Sequence, residues 1–115
     1  MTTFKPLEIS DISIITQMMQ DFYAIDNYPM DVEVAKTLFQ EFISNEHLGK
    51  SWLIYSENEI VGYIILTFIF SFEYGGKIAF VDELFIKETA RGKGFGKEAI
   101  QFIQQEVPKL SLKLL

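Results

Sequence analysis

Hydrophobic positions change rhythm several times along the chain, and each change marks a predicted element. Residues 4–9 form a short strand candidate. Ser10 or Asp11 then stands where a helix cap belongs, and Ile12, Ile15, Met18, Met19 and Phe22 follow at helical spacing. The Asp26-Asn27-Tyr28-Pro29 stretch breaks that helix. Asp31 caps a second one, in which Val34, Ala35, Leu38, Phe39 and Phe42 share a face, and Gly49 marks its exit. Two β-branched and aromatic runs, 51–56 and 60–70, flank the polar Glu57-Asn58-Glu59 and predict an antiparallel hairpin. Glu73-Tyr74-Gly75-Gly76 predict the next turn, and 77–86 another strand. Helical spacing returns over 94–107, with Ala99, Ile100, Ile103 and Val107 on one face, and Pro108 is expected to stop it. The tail 110–115 alternates like the start of a final strand. The predicted order is β-α-α-β-β-β-α-β, a mixed-sheet α/β fold. Without repeat, low-complexity block or linker, residues 1–115 read as one domain.

Composition narrows the chemistry. Hydrophobic residues make up 49% and charged residues 23%, too apolar for a disordered chain. The formal net charge of -6 sets a mean field that repels phosphate backbones, which argues against nucleic acid as a partner. There is no cysteine and a single imidazole, His47, so thiolate chemistry is excluded and no metal site is expected. His47, beside Asn45 and Glu46, reads as a solvated loop residue. The N-terminal stretch lacks a basic leader followed by an apolar run, and the most apolar stretch, 60–70, is too short to span a bilayer as a helix. The expectation is a cytoplasmic protein without a membrane partner.

One stretch carries candidate chemistry. Arg91-Gly92-Lys93-Gly94-Phe95-Gly96 follows an apolar strand and opens a helix, which gathers free backbone N–H groups and the positive end of a helix dipole around one point. Such a point attracts phosphate. The dinucleotide fingerprint does not fit, because its last glycine falls one residue beyond Gly96, and the ATP-type loop fails at Gly96-Lys97-Glu98. The Arg-x-x-Gly-x-Gly pattern, entered from the strand ending Val81-Asp82-Glu83-Leu84-Phe85-Ile86, resembles the GNAT superfamily of N-acetyltransferases. The element order from residue 4 onward agrees with that family's. The alternative reading of the loop is a glycine-rich strand-to-helix connection chosen for tight packing.

The resemblance implies an acetyl-coenzyme A-dependent N-acetyltransferase. Leu84, Phe85 and Ile86 would offer backbone groups to the pantetheine arm. Gly92, Lys93, Gly94, Phe95, Gly96 and Lys97 would wrap the pyrophosphate, with charge added by Arg91 and by Lys93 or Lys97. Acyl transfer to an amine needs the nitrogen neutral and the carbonyl oxygen stabilised, the latter by a strand N–H such as that of Leu84. Asp82 and Glu83 are the candidate bases or amine anchors, with Glu83 favoured for its reach; the alternative for both is a salt bridge to Lys77 or Lys87. Strict alternation puts the two carboxylates on opposite faces, so that one of them reaches the site.

Tyr23, Asp26, Tyr28 and Glu73 are candidates for acceptor contact, with Tyr28 and Glu73 carried forward, and their character suits a cationic acceptor such as a polyamine, an amino sugar or a protein amino group. Relative to the family the chain is expected to lack the usual C-terminal helix and strands, and all five tyrosines precede the glycine loop, so none matches the family's usual acid. An uncovered terminal strand favours pairing between subunits, and a homodimer is expected. Two rival readings stand beside the enzyme: a coenzyme A-binding module or regulatory subunit without turnover, and a partner-binding remnant that holds no cofactor.

Overall fold

Trp52 and Leu53 point to opposite faces of strand β2 (Gly49–Ser56), and each belongs to one of two cores. The computed structural model describes all residues 1–115. A five-stranded sheet carries them in the order β1-β2-β3-β4-β5, from β1 (Thr2–Pro6), β2, β3 (Glu59–Ser71), β4 (Gly76–Ile86) and β5 (Lys113–Leu114). The first four strands pair antiparallel, and β5 joins β4 in parallel. Helices α1 (Ile12–Ile25) and α2 (Val32–Ile43) cover one face, where Ile15, Met18 and Phe39 meet Leu53, Tyr63 and Phe85. Helix α3 (Phe95–Lys109) covers the other, where Ala99, Ile103 and Val107 meet Trp52, Ile64 and Leu66. At ~1.5–3 kcal/mol for each large side chain taken out of water, these two layers are the main source of stability. The predicted mixed α/β sheet and its order of elements are the ones present. No helix is long and apolar enough to cross a membrane.

Several boundaries and one cap differ from the sequence reading, the final strand shrinking from 110–115 to Lys113–Leu114. Strand β1 occupies residues 2–6 instead of 4–9, because the Leu7 N–H turns to the Ser51 carbonyl at 2.9 Å and Ile9–Asp11 wind into a 3-10 turn. Asp11 stands at the cap of α1, but its carboxylate reaches back to the Glu8 N–H at 3.0 Å and to Lys5 Nζ at 2.6 Å instead of capping the helix. Pro108 does not stop α3: the helix runs to Lys109. In the last turn the fixed φ of proline suits the helix, and only one N–H is lost. The cap at Asp31 is as expected, its carboxylate accepting from Glu33 and Val34 at 3.0 and 3.1 Å.

Two irregularities decide where the site lies. Val61 is an extra residue in β3 between the pairs Ile60 with Tyr55 and Gly62 with Ile54. Asp82 is an extra residue in β4 between the pairs Val81 with Leu66 and Glu83 with Ile65. Each is a β-bulge, which shifts the alternation of faces by one residue from that point on.

Candidate active site

Beyond Ile86 the chain makes a 3-10 turn at Glu88–Ala90 and then runs through Arg91–Gly94 into α3. Gly92 and Gly94 take φ of 80° and 88°, the left-handed region that costs a side-chain-bearing residue strain. A Cβ at either would meet nothing within 4 Å. Conformation therefore selects glycine here, and the space in front of the loop is open. Gly94 caps α3 with no side-chain bond to the first-turn amides, so the N–H groups of Phe95, Gly96 and Lys97 stand at the positive end of the helix dipole without intrahelical partners. Gly96 lies over Leu84, whose Cδ2 is 4.0 Å from the position a Cβ would take, and Lys93 and Lys97 are exposed at the same opening. Arg91 is turned the other way. Its Nε donates to the Ile86 carbonyl at 2.9 Å and its guanidinium lies 5.9 Å from the Phe85 ring, so it ties the loop to the end of β4.

The strand leading to this loop has an open side. β5 pairs with β4 only at Ile78 and Ala79, with one further bond from the Leu115 N–H to the Ala79 carbonyl at 2.8 Å. From Phe80 to Ile86, β4 has β3 on one side and no strand on the other. In an antiparallel ladder alternate residues turn their N–H and C=O away from the partner, so the stretch holding Leu84, Phe85 and Ile86 presents outward main-chain groups at every second residue, the Ile86 carbonyl among them being taken by Arg91.

The bulge in β4 overturns the expectation that Asp82 and Glu83 lie on opposite faces. Val81 and Leu84 pack on the α3 side, while Asp82 and Glu83 both line one cavity on the α1/α2 side. An unpaired residue takes up the missing half-step of the pleat. Within that cavity Glu83 is held by two phenols: Tyr63 donates to Oε1 at 2.8 Å, and Tyr23 donates to Oε2. Tyr63 comes from β3 with no exposed surface, and Tyr23 comes from the last turns of α1. Burial and then the hydrogen bond to Glu83 push the Tyr23 phenol above its usual range; burial and the negative charge of Glu83 do the same to Tyr63. Both stay protonated donors at neutral pH. Asp82 stands exposed at the edge of the same cavity.

An open backbone turn at a helix start and a tethered carboxylate on the same strand are what acyl transfer from an anionic carrier would require. The sequence matches the Acetyltransferase (GNAT) family over residues 14–115. The chain belongs to this family. An integron cassette protein from the mobile metagenome of Cole Harbour Salt Marsh is 36% identical, with a TM-score of 0.91 over 97% of this chain and 74% of its own. A possible acetyltransferase from Clostridium difficile 630 shares the fold at a TM-score of 0.84 and 15% identity, over 99% of this chain and 78% of its own. A predicted acetyltransferase from Clostridium acetobutylicum, solved with acetyl-CoA, shares it at 0.79 and 16%, over the whole of this chain and 79% of its own. No curated protein matches the chain.

The GNAT fold brings together only some of the residues singled out from sequence. Tyr28 is exposed and packs edge-on against Tyr23 at 5.7 Å, so it adjoins the Glu83 cluster. Glu73 does not: it sits exposed in the β3–β4 turn, and at ~3.3 Å per residue the Gly76 end of β4 stands roughly 20 Å from Glu83. His47 lies exposed with its Nδ1 3.5 Å from Lys77 Nζ, beside a hollow of about 490 Å³ that includes Lys50 and Phe68 but not Asp82 or Glu83. That hollow is larger than the cavity at Glu83, about 230 Å³, yet the carboxylates and the phenols converge at the smaller one. Sequence reasoning missed Tyr63 as the partner of Glu83. The clue available was a single phenol in the most apolar strand, since a buried Tyr O–H needs an acceptor.

Proposed function

We propose that this GNAT chain transfers the acetyl group of acetyl-coenzyme A to a primary amine, with Glu83 as base. The observation that carries the reading is on one strand: β4 holds the tethered Glu83, then a free backbone edge, then the open loop at Gly92 and Gly94. The loop fits a diphosphate because no side chain caps the first-turn amides of α3 and its glycines leave space where side chains would stand. Gly92 to Lys97 would hold that diphosphate, with the charges of Lys93 and Lys97 beside it. Along the stretch Leu84, Phe85 and Ile86, the main-chain groups turned away from β3 would pair with the amides of the pantetheine arm. Arg91 acts by fixing the loop to β4. When bound, acetyl-coenzyme A would supply a thioester, whose C–S bond breaks as the new C–N bond forms, the sulfur leaving as the free thiol with the proton that the nitrogen gives up on becoming an amide.

The residues of this chain prepare the nitrogen. An alkylammonium has a pKa of about 10.4 and is unreactive until it loses a proton. Glu83 accepts that proton on a carboxylate oxygen, while Tyr23 and Tyr63 fix its orientation and remain neutral. Asp82, at the cavity mouth, draws the cationic acceptor in, and Tyr28 borders its path. The N–H of Leu84, just past the carboxylate pair, is the donor for the carbonyl oxygen. A second copy pairing along the open edge of β5 belongs to the same reading, and light scattering at micromolar concentration checks it. The test of the activity is release of free thiol from acetyl-coenzyme A with an amine panel. Binding of coenzyme A without thiol release from any amine would replace the enzyme by a binding module.

A further inference from the structure

The cavity at Glu83 also constrains the acceptor. It lies between α1, α2, β3 and β4, and its walls are apolar: Met19 from α1, Ala35, Leu38, Phe39 and Phe42 from α2, and Ile65 from β3. Its polar atoms come from Tyr23, Thr67, Asp82 and Glu83. No lysine, arginine or side-chain amide reaches it. Its volume, about 230 Å³, is small beside the ~300–1,000 Å³ of a drug-sized site.

Thr67 adds an independent observation. Its Oγ1 is buried and has no hydrogen-bond partner, the one buried side-chain polar atom in the molecule of which this is true. Buried hydroxyls are nearly always satisfied, so an unpartnered one in a cavity wall beside two carboxylates indicates a polar group that arrives with a ligand.

We infer that the acceptor is a small apolar monoamine, a short primary alkylamine or phenylalkylamine, whose single ammonium meets Asp82, Glu83 and Thr67 while its hydrocarbon body fills the space between α1 and α2. The inference rests on the acetyltransferase reading and sharpens it. Two carboxylates suffice for one cation. The second ammonium of a polyamine, or the hydroxyls of an amino sugar, would lie against the buried Ala35, Phe39 and Ile65 with nothing to bond, a penalty of about tenfold or more for each such group. Each buried methylene gains about fourfold in its place. The general class of cationic acceptors expected from sequence thereby narrows to those with one charge. Thr67 is a positioning residue: its hydroxyl accepts an N–H of the ammonium and aims the remaining proton at Glu83.

The experiment measures thiol release from acetyl-coenzyme A by the intact chain with butylamine, phenethylamine, spermidine and glucosamine, alongside calorimetry of each amine with the protein alone. Expected are kcat/KM values for the two monoamines at least ~10-fold above those for the other two, and the same order in the calorimetric affinities. Thr67→Val should raise the KM for phenethylamine about tenfold with kcat less affected, and Thr67→Ser should restore most of it. Spermidine or glucosamine reacting as fast as phenethylamine overturns the inference and leaves the acetyltransferase reading intact. No thiol release from any amine overturns that reading and this inference with it. Equal behaviour of Thr67→Val and the parent removes Thr67 from the site.

Discussion

From a position with no exposed surface, the Tyr63 hydroxyl donates a 2.8 Å hydrogen bond to Glu83 on the neighbouring strand. Their Cα atoms are not paired, for Tyr63 lies opposite Phe85 and Glu83 opposite Ile65. The contact is diagonal, within the reach of an aromatic side chain. It converts a carboxylate beside solvent into one with a fixed direction, and it couples the core under α1 to the proposed chemistry. Tyr63→Phe should therefore cost about 1.5–3 kcal/mol in denaturant unfolding, the range for a hydrogen bond to a charged group. It should also lower kcat while leaving the KM for acetyl-coenzyme A near its parent value. Unchanged kcat would reduce Tyr63 to a structural residue.

Glu83→Gln keeps the shape but has one carbonyl oxygen, so it accepts from only one of the two phenols and cannot take a proton. Its rate at neutral pH should fall by about 10²–10⁴, and by much less at high pH, where the amine is already neutral. Asp82→Asn should act mainly on the KM of the amine, because Asp82 is exposed and has no phenol fixing it. A loss that is the same at every pH in both variants would clear both of the role of base.

Gly92→Ala and Gly94→Ala test the loop. Each places a Cβ in open space at a left-handed φ, so the fold should lose only ~1–2 kcal/mol. Calorimetric affinity for coenzyme A should nevertheless drop by tenfold or more, as the Cβ enters the space proposed for the diphosphate. Retained affinity with reduced stability would mean that these glycines serve the turn alone.

Gly62 makes the opposite case. A Cβ there would collide with the carbonyl oxygen of Phe85, so Gly62→Ala must displace β4 where its free edge begins to turn into the loop. Overpacking of this kind costs about 1–3 kcal/mol, and here the neighbour is backbone that cannot rotate away. Thermal unfolding should fall well below that of Gly92→Ala. A stability equal to that of the parent would show that β3 and β4 are not held this closely.

The two phenols give a pH signature. Both have their pKa raised above the ordinary value of 10.0. Below pH 10 each is protonated whether the chain is folded or not, and the stability is fully present. As pH climbs past 10 the unfolded chain ionises first, so the folded state loses stability. Of the five tyrosines, two should resist ionisation in an ultraviolet titration until the protein unfolds, and Tyr63→Phe should leave one. Five tyrosines titrating together without unfolding would contradict the buried cluster.

Much of this molecule was legible along the chain because the signals are local. Helical spacing from Ile12 to Phe22 and from Val34 to Phe42, the runs around Trp52 and Ile64, and the glycines before Phe95 each reflect what a few neighbouring residues can do by themselves. That was enough for the elements and their order, and for naming the loop and the carboxylate pair. Boundaries slipped where a distant group took over: Asp11 capped backward because Lys5 and the Glu8 N–H compete for it.

The succession of strands and helices and the bare backbone before α3 are therefore written in short stretches of the chain. That Asp82 and Glu83 share a face, that Tyr63 and Tyr23 meet on Glu83, and that the wall facing them is apolar came from long-range packing. Those facts follow from the register between strands, which one bulged residue in β4 resets. Register is chosen by the summed packing of both sheet faces, an energy distributed over residues far apart in the chain, and no short stretch of sequence contains it.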